Sequence, residues 1–213
     1  MKSLLLKVLF VLICVVECVQ VSAKKEKDPV CPIKVETPKR PKGQKDVLLL
    51  TAPKIDTVRV GFIGVGNRGI SAVERWTKIP GAKITAICDL RQELVERAQN
   101  TVVKAGMPKV ATYDTDENAW KQLCQRSDVD LVYIVTDWIP HAEMARFAME
   151  CGKHAVIEVP AAMSLDEIWM LIDTSERTRK HCMMLENCIY DQFELTALNM
   201  AQKGLFGEIL NVQ

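Results

Sequence analysis

Between residues 57 and 203, short apolar runs alternate with longer stretches in which apolar residues recur every three or four positions. The runs 58–63, 83–88, Val110–Tyr113, Val129–Thr136, His154–Glu158 and Cys182–Glu186 read as strands, near-continuous in Val, Ile, Leu and Met and bounded by Gly, Pro or acidic residues. The stretches between them predict helices over about 68–78, Arg91–Lys104, Glu117–Arg126, Pro140–Cys151, about 164–179 and about 191–203. Pro80-Gly81 ends the first, and Gly106, Gly152 and Gly204 stop three others. Strict alternation of this kind predicts an α/β fold, a doubly wound parallel sheet with helices on both faces. Trp169, Met183 and Met184 are expected to fill the core, and His154 and His181, which begin strands, to be structural.

The flanks break the pattern. Lys2 and Lys7 precede the apolar run Val8–Val16, which Glu17 closes, and Val21-Ser-Ala23 offers small residues at a cleavage site. Residues 1–23 therefore read as a signal peptide, with an uncleaved anchor as the alternative. The run is too short for a stable membrane span once the signal is removed. Residues 24–56, rich in Lys, Pro and Glu, read as a basic linker and lead-in, and 57–187 as the dinucleotide-binding domain. Residues 188–213 read as the start of a second α/β domain that is truncated, because Phe206–Gln213 begins as a strand and then stops.

Composition narrows the partners. A net charge of +1 with interspersed signs implies no nucleic-acid partner. Loss of residues 1–23 leaves Cys31, Cys88, Cys124, Cys151, Cys182 and Cys188, among which no C-x-x-C occurs. Most read as packing residues, neither a disulfide framework nor a metal site, although spacing alone does not fix pairing.

The chemistry is concentrated after the first strand, in Val58-Arg-Val-Gly-Phe-Ile-Gly-Val-Gly-Asn-Arg-Gly69. Gly64, Gly66 and Gly69 form G-x-G-x-x-G between a strand and a helix, and Asp89 closes the next strand twenty positions after Gly69. Gly64 permits the tight turn, Gly66 lets the backbone approach a pyrophosphate, and Gly69 lets helix and strand pack closely. The amides at the helix start and the dipole behind them favour that anion. Asp89 can accept from both ribose hydroxyls and repels a 2′-phosphate, so the implied cofactor is NAD. Arg91 nearby weakens that preference slightly.

Ligands of such folds lie at the carboxyl ends of strands, which draws in other residues. Trp138 and His141, after the fourth strand, stand where a nicotinamide ribose or ring would lie, and His141 has a second reading as a cap of the helix that follows. Glu158 ends the fifth strand, and Pro160 forces an extended turn. Asn187 suits a carboxamide or ribose, and Tyr190 either carries a proton or packs in the wall.

The glycine loop, Asp89, Thr136-Asp-Trp with His141, Glu158-Val-Pro-Ala-Ala-Met163 and Cys182-Met-Met-Leu-Glu-Asn-Cys-Ile-Tyr-Asp191 together resemble the glucose-fructose oxidoreductase / inositol dehydrogenase / rhizopine-catabolism (Gfo/Idh/MocA) superfamily. Within it, residues from about 47 onward are most similar to the NAD-dependent α-N-acetylgalactosaminidases, exported bacterial glycoside hydrolases. The resemblance implies that Asn67 and Arg68 touch NAD, that Asp89 holds the adenosine ribose, and that Trp138, Ile139, Pro140, His141, Glu158, Val159 and Asn187 complete the site. Asn67 departs from the Met or Leu more usual there. Superfamily dehydrogenases usually carry Glu-Lys-Pro where this chain has Glu158-Val159-Pro160, and Val159 cannot do the lysine's proton transfer. The glycosidases share that loss. Their resemblance implies a cycle in which hydride leaves C3 of a terminal α-N-acetylgalactosamine, the C2 proton and the aglycone are lost, water adds, and the hydride returns. It implies a glycan substrate, a periplasmic or secreted location, catalytic residues in the second domain, and a fragment that binds NAD without turnover. A net sugar dehydrogenase and a non-catalytic NAD-binding module are the alternatives, and a homo-oligomer stays open.

Overall fold

The architecture was analysed on a computed structural model that describes residues 37–210. The predicted signal peptide, the first part of the linker and Asn211–Gln213 lie outside the described residues. Six strands form one sheet, β1 (Val58–Ile63), β2 (Ala82–Cys88), β3 (Ala111–Tyr113), β4 (Leu131–Ile134), β5 (His154–Glu158) and β6 (Cys182–Leu185). Their order is β3-β2-β1-β4-β5-β6, and every pairing is parallel. The connections are α1 (Asn67–Trp76), α2 (Gln92–Lys104), α3 (Ala119–Cys124), α4 (His141–Glu150) and α5 (Leu165–Thr178), with α6 (Gln192–Gln202) after β6. The predicted doubly wound sheet is therefore present, with element ends shifted by a few residues.

The two-residue period of the strands, broken in β2 by a bulge at Thr85, sends alternate side chains into two cores. Val60 and Phe62 of β1, Ile84 and Ile87 of β2 and Tyr133 of β4 join the core that holds Val73 of α1 and Val95 and Val102 of α2. Ile63, Ala86, Cys88, Val132, Ile134 and Ile157 face the other core, with Leu123 of α3, Met149 of α4 and Leu171 of α5. Burial on both faces is why the strands read as continuous apolar runs.

Four expectations change. Residues 206–210 form no strand and pair with neither edge of the sheet. Met183 and Met184 are partly exposed, at 38 % and 40 %, because β6 is an edge strand with only β5 beside it. Trp169 is half-buried on α5, whose Leu165 and Ile168 are exposed. Part of the expected linker is docked. Arg40 donates from Nε at 2.9 Å to Glu176 of α5 and pairs through Nη2 at 2.8 Å, and Gln44 donates to Asp173 and Glu176, each at 2.9 Å. The Glu176 side chain is 1 % exposed, so these donors satisfy a buried carboxylate. Arg179, at the left-handed end of α5, donates to the carbonyls of Lys45 and Asp46.

The His154 and His181 rings lie 5.1 Å apart, and the His181 amide donates to His154 Nδ1. The described cysteines carry no disulfide; burial pushes the Cys88 thiol up to about 12 and the Cys182 thiol up to about 11. Among the described residues no helix is long and apolar enough to cross a membrane, and no cluster of three or more His, Cys, Asp or Glu could hold a metal.

Candidate functional site

The sheet order reverses at β1, whose neighbours β2 and β4 run on to helices on opposite faces. A crevice opens at the carboxyl ends of the strands where such loops diverge. Here it is a cavity of about 670 Å³. Its walls come from the loops after β1, β2 and β4 and from the segment joining β3 to α3.

The glycine loop builds the floor. Gly64 takes φ +87°, and a Cβ there would stand 2.7 Å from the Val135 carbonyl oxygen. A Cβ on Gly69 would stand 2.4 Å from the Gly64 carbonyl oxygen. Only glycine allows α1 to begin this close to β1. Gly66, the residue before α1, is different: a Cβ there would meet only the Arg91 guanidinium, at 3.8 Å. No side chain caps α1, so its first amides face open space over Gly66. This cradle fits the diphosphate of a dinucleotide.

Asp89 is fixed on the same floor. Its Oδ2 accepts from the Val65 amide at 2.8 Å and its Oδ1 from the Arg91 amide at 3.1 Å, with the side chain 12 % exposed. Each oxygen keeps a lone pair for a ribose hydroxyl. The carboxylate therefore ties the glycine loop to the end of β2 while remaining an acceptor for adenosine.

Gly64, Gly66, Asn67, Arg68, Asp89 and Pro140, of the residues singled out in the sequence, line the cavity. Glu158 and Asn187 are joined to it through Arg68. Arg68 Nε lies 3.2 Å from Glu158 Oε1, and Arg68 Nη2 donates at 2.8 Å to Asn187 Oδ1. Glu158 Oε1 also accepts from the Tyr133 hydroxyl at 2.7 Å. Burial, and then the bond to Glu158, push the Tyr133 phenol up, so it stays a donor. The bond to Glu158 likewise raises the Arg68 guanidinium.

The remaining candidates are placed otherwise. Trp138 and Ile139 are 59 % and 79 % exposed and do not line the cavity. Val159 is half-buried, and the Val159–Pro160 peptide is cis. His141 is 1 % exposed; its Nδ1 lies 2.8 Å from the Pro160 carbonyl oxygen and its Nε2 3.3 Å from that of Thr136. The ring neither caps α4 nor opens on the cavity. It links the loops after β4 and β5.

Leu90, Asp116, Glu117, Trp120 and Met144 also line the cavity and were not expected from the sequence. A weak signal for them existed. The short run ending at Tyr113 is a strand, so the residues after it belong to the ligand edge as surely as those after β4.

Comparison with known proteins agrees with this geometry. Residues 58–186 match the Gfo/Idh/MocA family model, described as "Oxidoreductase family, NAD-binding Rossmann fold". The chain is 62 % identical over 213 residues to Glycosyl hydrolase family 109 protein 1 of Bacteroides thetaiotaomicron, covering 100 % of this chain and 45 % of that protein. It is 69 % identical over 182 residues to the protein of the same name from Phocaeicola vulgatus, covering 85 % of this chain and 39 % of that one. The chain thus spans less than half the length of these curated relatives. Among solved structures, myo-inositol 2-dehydrogenase from Lactobacillus plantarum superposes with a TM-score of 0.61 at 25 % identity, over 72 % of this chain and 43 % of that one.

Proposed function

The chain belongs to the Gfo/Idh/MocA family, whose Rossmann fold binds NAD, and from that premise we propose that it is the cofactor-binding part of a glycoside hydrolase acting on terminal α-linked N-acetylgalactosamine. The observation that carries this reading is one pairing: an intact dinucleotide cradle at Gly64–Gly69 and Asp89, in a chain with Val159 where a proton-transferring lysine would serve a net dehydrogenase. Identity of 62 % and 69 % to proteins named Glycosyl hydrolase family 109 supports it.

The residues divide the work. The amides after Gly66 hold the diphosphate, and Asp89 receives the adenosine ribose hydroxyls. Arg68, steadied by Glu158 and Asn187, stands on the nicotinamide side. Val159 moves no proton, so the acid and base of the cycle are proposed to lie in the portion of the relatives' length that this chain does not span. The chemistry supplied by bound NAD is reversible acceptance of hydride from C3 of the sugar, so that a ketone there acidifies the C2 proton, the aglycone is eliminated, water adds, and the hydride goes back. Such a cycle dispenses with the paired carboxylates of ordinary glycosidases. Residues 1–23 are proposed to direct export.

The test is made on full-length protein. Release of p-nitrophenol from its α-N-acetylgalactosaminide without added NAD is the expected result. NADH accumulating in step with product would replace the proposal with a net sugar dehydrogenase. Mature protein beginning at Lys24 is the expected finding for export, and retention of Met1 in the exported protein would refute the cleavage.

A further inference from the structure

Tyr133 lies outside the cavity wall, and the role argued for it rests on the NAD reading above. Tyr133 lies on β4 in register with Phe62 of β1 and Val156 of β5. Its ring is held on two sides, stacked on Phe62 at 5.0 Å between centroids and edge-on to Trp76 at 5.9 Å. Glu158 stands two residues beyond Val156 and so shares its face of the sheet. The rigid phenol thereby reaches the Glu158 carboxylate at the ligand edge, where both groups are buried, at 3 % and 6 % exposure.

Glu158 Oε1 takes two contacts, the Tyr133 hydroxyl at 2.7 Å and Arg68 Nε at 3.2 Å. Arg68 is half exposed and long, with many rotamers open to it. Nε on Glu158 fixes the guanidinium plane, and Nη2 then meets Asn187 at 2.8 Å. A buried carboxylate that lost the tyrosine would keep Arg68 as its remaining partner among the described residues and would draw that cation inward. The series runs from Tyr133 in β4 and Glu158 at the end of β5, through Arg68 at the start of α1, to Asn187 in the segment after β6.

We propose that Tyr133 is a positioning residue for the nicotinamide half of the cofactor site, acting through Glu158 to set where Arg68 and Asn187 stand. The adenosine half, held by Asp89 and the amides after Gly66, makes no use of it. NAD and ADP therefore respond differently to its loss.

The test titrates NAD and ADP separately into full-length protein freed of cofactor, comparing wild type with Tyr133→Phe, which keeps the aromatic stack. NAD affinity falls about tenfold, the order expected for one hydrogen bond to a charged group, while ADP affinity stays within error. In a Glu158→Leu background, which removes the acceptor, Tyr133→Phe costs nothing further. Arg68→Lys keeps the charge but cannot bridge Glu158 and Asn187, and shows the same selective loss, so the test stands even if Tyr133→Phe folds poorly. Unchanged NAD affinity in Tyr133→Phe or Arg68→Lys, or equal losses for NAD and ADP, overturns the positioning role alone. Wild-type protein that binds ADP and NAD alike, or neither, sinks the NAD reading with it.

Discussion

At the scale of single residues, Asp89 and Gly69 shape the cofactor loop from opposite sides. Asp89 pulls the Val65 amide toward β2, and Gly69 leaves room for the Gly64 carbonyl that a Cβ would strike at 2.4 Å. Asp89→Ala removes both an acceptor for ribose and the tie on the loop. We expect NAD affinity to fall at least tenfold by calorimetry, about 1.5–3 kcal/mol for hydrogen bonds to a charged group; an unchanged affinity would contradict the assigned pocket. Gly69→Ala forces α1 away from β1 and should cost about 1–3 kcal/mol of stability in urea unfolding, with NAD binding lost alongside. These two residues were legible because their spacing is local. Arg68 reaching Asn187, 119 positions away, was not, since no pattern along the chain encodes that approach.

At the scale of elements, α5 shows both what periodicity reveals and what it hides. Its amphipathic pattern and its start were plain in the sequence. Ser164 accepts from the Glu167 amide at 3.2 Å, and Glu167 accepts from the Met163 amide at 2.6 Å. Ser164→Ala should therefore lower stability by about 1 kcal/mol, read as a lower urea midpoint at constant slope. What the pattern hid is the partner of Glu176, since a basic, proline-rich stretch carries no period to mark it as docked. Arg40→Ala leaves the buried Glu176 carboxylate to Gln44 among the described residues. The half-exposed arginine makes the loss modest, about 1 kcal/mol, and proteolysis within 40–50 should accelerate. The edge position of β6 was equally illegible, because an apolar run reads the same with one neighbour as with two.

At the scale of the whole molecule, ion pairs tie the strand and helix ends together and set its response to acid. Arg59 of β1 donates from Nε at 2.8 Å to Asp130, just before β4, and from its amide at 2.9 Å, holding that carboxyl below its usual range. Arg177 of α5 and Arg146 of α4 do the same for Glu150. A carboxyl depressed in the folded state stabilises above its unfolded value, near pH 4, and that contribution is lost as the pH falls through the folded value. Melting temperature should hold from pH 7 to about 5 and drop below about 4; Arg59→Ala should flatten that acid limb, and a parallel drop in the variant would contradict the assignment. The doubly wound sheet was visible in the alternation of elements, whereas the rest of the cavity wall was not, because Leu90, the stretch from Asp116 to Trp120 and Met144 come from three separate segments. His141 carries a last consequence. A ring that rivets two loops together, sealed from solvent, reacts with an imidazole-directed reagent only when those loops part. Inactivation by such a reagent would time the breathing of the pocket mouth, and slowing of it by NAD would report closure, with no catalytic histidine required.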